Sequence, residues 1–177
     1  ADASDDDPAV AGRVSVAAVN GPSSVVLSGA RDAVDAVLER LVGASADQCT
    51  RLDVSHAFHS PLMADMQGPF RDLVSSLDLS PSDVAVASTV TGRVIPVGST
   101  DLADPEHWVR QVTAPVLFSD AVTAALELAE EEGKAAAVDA VLEVGPRPVL
   151  TRMARPWADK SKTMTWCSSL ERTPATS

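Results

Sequence analysis

The sequence predicts an α/β fold, and two observations carry that prediction. Strand-like runs alternate with helical patterns after residue 60, which favours an α/β layer containing parallel strand pairs. In addition, 177 residues with 45% apolar and 22% charged content are enough to bury a sizeable core. The length predicts one domain, or one domain with an appendage.

The first third of the chain predicts the element order strand, strand, helix, strand. Residues 1–12 are acidic and small, which is typical of a linker. Apolar runs at 14–19 and 24–28 flank an Asn-Gly-Pro-Ser turn and therefore predict a hairpin. Residues 31–42 carry apolar side chains at helical spacing and end at a glycine, and residues 50–54 predict a third strand.

The rest of the chain alternates between helices and strands, and several boundaries carry capping signals. Asp104 can cap a helix whose first residue is Pro105, and Ser119 or Asp120 can cap a later helix that ends at Gly133. The predicted helices lie at 61–77, from 105, at 119–132 and at 149–154, and the strands lie at 84–90, 94–96, 140–144 and 163–167.

The composition argues against several classes of partner and site. The formal net charge of −11 disfavours nucleic acid and anionic membrane surfaces, since both would repel the chain. No apolar run reaches the roughly 18 residues of a membrane span, and no signal-like start is present, so we expect a cytoplasmic location. Cys49 and Cys167 are far apart and match no metal pattern, which favours structural thiols and predicts no metal site.

The most informative stretch is residues 54–63, which read VSHAFHSPLM. It places two of the three histidines, His56 and His59, three residues apart around Phe58. Histidine titrates nearest physiological pH, so this residue type suits proton transfer. The His-x-x-His spacing alone is also compatible with a metal site, but no further ligand lies near it in sequence.

This stretch resembles the active-site histidine motif of the malonyl-CoA:acyl carrier protein transacylase family, specifically the acyltransferase domains of polyketide synthases. Three further stretches are similar to the family in the same order: the hairpin at 16–29, residues 104–118 and residues 142–150. The resemblance covers about residues 13–172. It implies half of a ferredoxin-like α+β subdomain at 13–54, the C-terminal part of an α/β-hydrolase-like core at 55–172, and a tail at 173–177.

The resemblance also implies an activity and a set of site residues. His59 would be the general base in malonyl transfer from CoA, through an acyl-serine, to the phosphopantetheine thiol of an acyl carrier protein. The main-chain carbonyl of Asp101 would accept the Nδ1 proton of His59. Phe58 would narrow the acyl pocket against an α-methyl branch. His56 would also belong to the substrate-binding residues, and Asn20 would lie beside the acyl or pantetheine portion. No bound cofactor is implied.

Each of these residues also has a plainer explanation. Phe58 can be a core aromatic, His56 a polar packing residue, and Asn20 part of a turn. Glu143, which a search for a catalytic triad would select, stands at a strand end before Gly-Pro and is expected to be structural.

The 177 residues contain no Gly-His-Ser-x-Gly nucleophile motif. We therefore expect a partner: the N-terminal half of the acyltransferase, in the same or a second chain, bearing the serine. Two alternatives stay open, namely half of a free-standing fatty-acid malonyl transacylase and a non-catalytic fragment that docks carrier proteins.

Overall fold

The computed structural model describes residues 10–45, 49–131, 138–159 and 164–170, and they form mixed α/β structure. The strands are β1 (Val14–Gly21), β2 (Ser24–Gly29), β3 (Val86–Ser88), β4 (Arg93–Ile95), β5 (Ala140–Glu143) and β6 (Thr165–Ser168). The helices are α1 (Arg31–Ser45), α2 (Gln67–Ser75), α3 (Pro105–Gln111), α4 (Phe118–Glu131) and α5 (Leu150–Ala158). Short 3₁₀ helices at Pro61–Met66 and Asp101–Ala103 precede α2 and α3.

The β1–β2 hairpin is antiparallel, as the turn sequence predicts. Val14 pairs with Gly29 and Gly21 with Ser24, and the register shifts twice along the ladder. A side chain at Gly29 would place its Cβ 2.1 Å from the carbonyl oxygen of Arg13, so only glycine fits there without backbone movement. This close approach lets the amide of Ala30 donate to the same carbonyl at 2.9 Å.

The three sheets of the described residues have two strands each. β3 and β4 pair antiparallel, whereas β5 and β6 pair parallel, in register from Ala140 with Thr165 to Glu143 with Ser168. The parallel pair is the one that the alternation of strands and helices predicted. The small subdomain and hydrolase-like core implied by the resemblance remain predictions.

Helix α4 lies at the centre of the packing and contacts β1, β3 and β4, while α5 contacts β1, β5 and β6. A parallel bridge between Ala18 and Val116 ties β1 to the segment before α4, through two hydrogen bonds of 2.8 and 2.9 Å. The buried apolar residues are small, mostly alanine and valine: Val10, Ala17, Ala33, Val74, Val90, Ile95, Val109, Ala121 and Ala154.

The predicted strand at 50–54 is wrong. Residues 49–54 are irregular, and Leu52 and Val54 are 57% and 62% exposed. β-propensity produces a strand only where a neighbouring strand supplies ladder hydrogen bonds, and no described strand lies beside this segment. It is instead tied to α1 by an ion pair between Arg51 and Asp35.

Several predicted boundaries also shift. Helix α1 continues through Gly43 to Ser45, since a single glycine costs a helix only about 1 kcal/mol. Helix α4 begins at Phe118, so Ser119 and Asp120 lie inside its first turn and do not cap it. The predicted stop at Gly133 and the start of the last strand at Thr163 lie outside the described residues.

The linker expected at residues 1–12 does not extend as far as predicted. Residues 1–9 lie outside the described residues, but Val10 is fully buried, and the amide of Arg13 donates to its carbonyl at 3.0 Å. Residues 10–12 are therefore part of the packed structure.

Candidate active site

His59 has an unusual main-chain conformation. Its φ is +58°, which makes it the one residue other than glycine with a positive φ in the described part of the chain. Histidine is among the residues that enter this left-handed region more often than most, yet the conformation persists only where neighbours hold it. Here the amide of His59 donates to the carbonyl of Val112 at 3.3 Å, and the hydroxyl of Ser15 donates to the carbonyl of His59 at 2.8 Å.

The next residue, Ser60, fixes the same turn from the other side. It is fully buried, its hydroxyl donates to the carbonyl of Ala57 at 2.6 Å, and it accepts from the amide of Leu62 at 3.3 Å. Ser60 thus caps the 3₁₀ helix that follows and leaves His59 on a rigid corner.

The imidazole of His59 is oriented by main-chain carbonyls. Its Nδ1 lies 3.0 Å from the carbonyl oxygen of Gln111 and 3.0 Å from that of Ala114. A carbonyl oxygen only accepts, so Nδ1 must carry the proton, and in the neutral ring Nε2 then holds the lone pair. No described residue makes a hydrogen bond to Nε2, so it is the nitrogen that can take a proton from a reacting group.

The prediction that Asp101 supplies the acceptor carbonyl is wrong. Asp101 precedes α3, where its carbonyl accepts from the amide of Asp104 at 3.4 Å. The acceptors are instead Gln111, the last residue of α3, and Ala114, which follows the helix. The carbonyl of Gln111 is available because the last carbonyls of a helix lack partners within the helix. Neither Gln111 nor Ala114 was selected from the sequence. Pro115 predicts that a helix ends shortly before it, and the carbonyls at such an end are available as acceptors.

His56 and Phe58 are exposed and lie close to His59 in sequence. The two rings are tilted against each other with centroids 5.8 Å apart, and Nδ1 of His56 lies 3.0 Å from the hydroxyl of Ser55. Phe58 is 50% exposed, so it is not a core aromatic of this chain.

Asn20 lies toward the other end of β1 from Ser15, the residue that contacts His59. Five residues of strand span roughly 16 Å, so Asn20 is not brought next to the histidine by the hairpin. It lines a separate cavity of about 200 Å³, whose walls include Gly21, Met153 and Trp157. A role for Asn20 in acyl or pantetheine binding stays a prediction.

Glu143 has the structural position that the sequence predicts. Its carboxylate accepts from the amides of Val149, Leu150 and Thr151 and from the Thr151 hydroxyl, at 2.8 to 3.0 Å. Desolvation would raise the pKa of Glu143, but these hydrogen bonds outweigh it and lower the pKa to about 2. The carboxylate is fully committed to the start of α5 and does not contact His59.

Within the described residues, no three His, Cys, Asp or Glu side chains come together in a way that could hold a metal ion. No described helix is both long and apolar enough to cross a membrane.

The family model described as "Acyl transferase domain" matches residues 3–172. This chain belongs to the acyl transferase domain family. Its curated relatives include the polyketide synthase GfsB of Streptomyces halstedii, 40% identical over 148 residues, and the spectinabilin polyketide synthase protein NorB of Streptomyces orinoci, 42% identical over 151 residues. These matches cover 84% and 82% of the chain but only 2% and 6% of those synthases.

Solved structures similar to this chain belong to the same family. The acyltransferase domain from the second module of the salinomycin polyketide synthase is 38% identical with a TM-score of 0.76, over 91% of this chain and 35% of that one. A malonyl-CoA:acyl carrier protein transacylase of Xanthomonas oryzae is 25% identical with a TM-score of 0.72, over 88% of this chain and 45% of that one. The chain thus spans less than half of each solved relative.

Proposed function

We propose that this chain supplies the general base, His59, of a polyketide synthase acyltransferase. The enzyme moves a malonyl unit from CoA to the phosphopantetheine thiol of an acyl carrier protein. The nucleophilic serine lies in a part of the acyltransferase outside these 177 residues. The single observation that carries the proposal is the pair of carbonyls 3.0 Å from Nδ1, which fixes the protonated nitrogen and leaves Nε2 to act.

The reaction follows from that tautomer. Nε2 accepts the serine proton as the serine oxygen attacks the thioester carbonyl, and the resulting imidazolium protonates the departing CoA thiolate. The same steps run in reverse when the carrier-protein thiol attacks the acyl-serine. Main-chain carbonyls stabilise the imidazolium through Nδ1–H without an added carboxylate, and Glu143 is accordingly not needed as a third member.

The synthase version is favoured over a free-standing transacylase by the degree of likeness. The polyketide synthase relatives named above are 38% to 42% identical to this chain, against 25% for the free-standing transacylase. A fragment that only docks carrier proteins does not account for a histidine held in a left-handed conformation by hydrogen bonds with two distant segments, at Ser15 and Val112.

The test is a transfer assay on the intact acyltransferase that contains this chain. His59→Ala should lower malonyl transfer by ~10²- to 10⁴-fold, the usual contribution of a positioned general base. His56→Ala, a matched change three residues away, should cost much less. Equal damage from both substitutions, or full activity of His59→Ala, would contradict the assignment.

A further inference from the structure

We propose that Ser15 and Gln67 are positioning residues for His59, a role that rests on the proposed function of that histidine. Ser15 holds the main chain of the histidine, and Gln67 holds the segment that supplies its carbonyl acceptors. Neither residue touches the reacting atoms.

Ser15 holds the main chain of His59 in its left-handed conformation. Its hydroxyl donates to the carbonyl of His59 at 2.8 Å, a contact between residues 44 positions apart. Ser15 is itself fixed by pairing with Ser28 across the hairpin, so the donor sits on a rigid element. A residue with φ of +58° needs such a contact, because relaxation of its main chain would turn the side chain away.

Gln67 holds the segment that contains the two carbonyls accepting from Nδ1 of His59. From the first turn of α2, its side-chain amide donates to the Thr113 hydroxyl at 3.1 Å and to the carbonyl of Val109 at 3.4 Å. These two partners bracket Gln111, and Thr113 adjoins Ala114. Gln67 thereby joins α2 to the segment whose carbonyls accept Nδ1–H, and its side chain is half-buried.

The contacts of Ser15 and Gln67 both affect the orientation of the His59 ring. The direction of Nε2 depends on where the main chain of His59 lies and on where its two acceptor carbonyls lie. A displacement of about 1 Å at either end costs roughly 10²-fold in a reaction that depends on alignment. Positioning groups therefore affect turnover more than they affect substrate affinity.

The first arm of the experiment measures transfer by the intact acyltransferase. Ser15→Ala and Gln67→Leu should each lower kcat by roughly 10-fold or more, with little change in KM for malonyl-CoA. Ser15→Thr keeps the hydroxyl and should restore activity. Ser28→Ala is the matched control, because Ser28 is half-buried like Ser15 and pairs with it through the main chain, which the substitution leaves in place. It should behave as the parent enzyme.

The second arm measures the tautomer of the His59 ring and does not depend on enzyme activity. Nitrogen NMR of the His59 ring in the resting enzyme should give the Nδ1-protonated tautomer, and the fraction of that tautomer should fall in Ser15→Ala and Gln67→Leu. A shifted tautomer combined with a fully active His59→Ala enzyme would refute the proposed base while leaving the positioning role intact.

Three results would overturn the positioning role. One is unchanged kcat and tautomer in folded Ser15→Ala and Gln67→Leu. Another is a failure of Ser15→Thr to restore activity. The last is unfolding of Ser15→Ala, detected by its thermal transition, since this would make the serine a structural residue only.

Discussion

At the residue scale, the sequence motif selected His59 as the candidate base but did not show which groups orient its ring. Residues 56–59 could be found because the motif is local and its residue types are specific. The acceptor carbonyls of Gln111 and Ala114 could not, because any residue type offers a main-chain carbonyl and only the path of the chain selects one. The error at Asp101 has this cause.

Phe58 provides a prediction about selectivity. If its half-exposed ring lines the acyl pocket, Phe58→Ser should open space for an α-methyl group. Methylmalonyl-CoA should then gain relative to malonyl-CoA by about 1–2 kcal/mol, the contribution of one methyl group in an apolar pocket. The measurement is a competition between equal concentrations of both esters, with the acylated carrier protein read by mass.

The control for this change is His56→Ala, which removes the ring packed against Phe58 but leaves the phenyl group. It should alter the product ratio less than Phe58→Ser. An unchanged ratio in an active Phe58→Ser enzyme would assign selectivity to other residues.

At the element scale, the sequence predicted helix starts better than strand extents. Asp104 accepts from the amide of Glu106 at 3.0 Å and Pro105 opens α3, as the capping pattern requires. Such caps depend on a few adjacent residues. Strands depend on distant partners, and residues 50–54 lack one among the described strands, which is why their apolar pattern was misleading.

The Asp104 cap is linked to the site, because α3 carries Gln111 at its far end. Asp104→Ala should lower the free energy of unfolding by about 1 kcal/mol, the usual contribution of an N-cap. Urea denaturation measures this, and Asp101→Ala, three residues earlier and without a capping bond, is the control. Equal stability losses in the two variants would show that the cap contributes nothing specific.

The lowered pKa of Glu143 predicts that the free energy of unfolding depends on pH. Its pKa is lowered from 4.5 to about 2 in the folded protein, so its contribution is complete above pH 4.5 and is lost as the pH falls through 2. Glu143→Gln should therefore be less stable than the parent above pH 4.5, and this difference should shrink towards pH 2. Urea denaturation at a series of pH values measures the difference.

Glu127→Gln, a change of an exposed glutamate within α4, controls for the loss of one negative charge. A stability gap between Glu143→Gln and the parent that stayed constant from pH 6 to pH 2 would contradict the capping role of the carboxylate.

At the scale of the whole molecule, apolar side chains remain uncovered on the parallel sheet. Helix α5 contacts β5 and β6, yet Leu142 on β5 is 59% exposed and Val144 just after it is 81% exposed. Parallel sheets are normally covered on both faces. If the proposed function is right, we expect the Ser-bearing part of the acyltransferase to cover this face. The alternation of strands and helices predicted the parallel pair, but a pattern of apolar residues does not say which chain covers them.

This exposure predicts the behaviour of the isolated 177-residue chain. It should bind a hydrophobic dye, and a Ser-bearing acyltransferase part should displace that dye. Leu142→Asn should weaken the association between the two parts more than Val25→Asn does, a change on β2 at a similar exposure of 61%. Equal effects of the two substitutions would exclude the sheet face as the contact.

The most direct test of the central claim locates the malonyl ester. The 177-residue chain is incubated with labelled malonyl-CoA alone and together with the Ser-bearing part, and each polypeptide is analysed by intact mass. We expect no ester on the chain alone and an ester on the nucleophilic serine of the other part when both are present. With His59→Ala, that ester should form much more slowly. A stoichiometric ester on a serine of this chain, or an undiminished rate with His59→Ala, would contradict it.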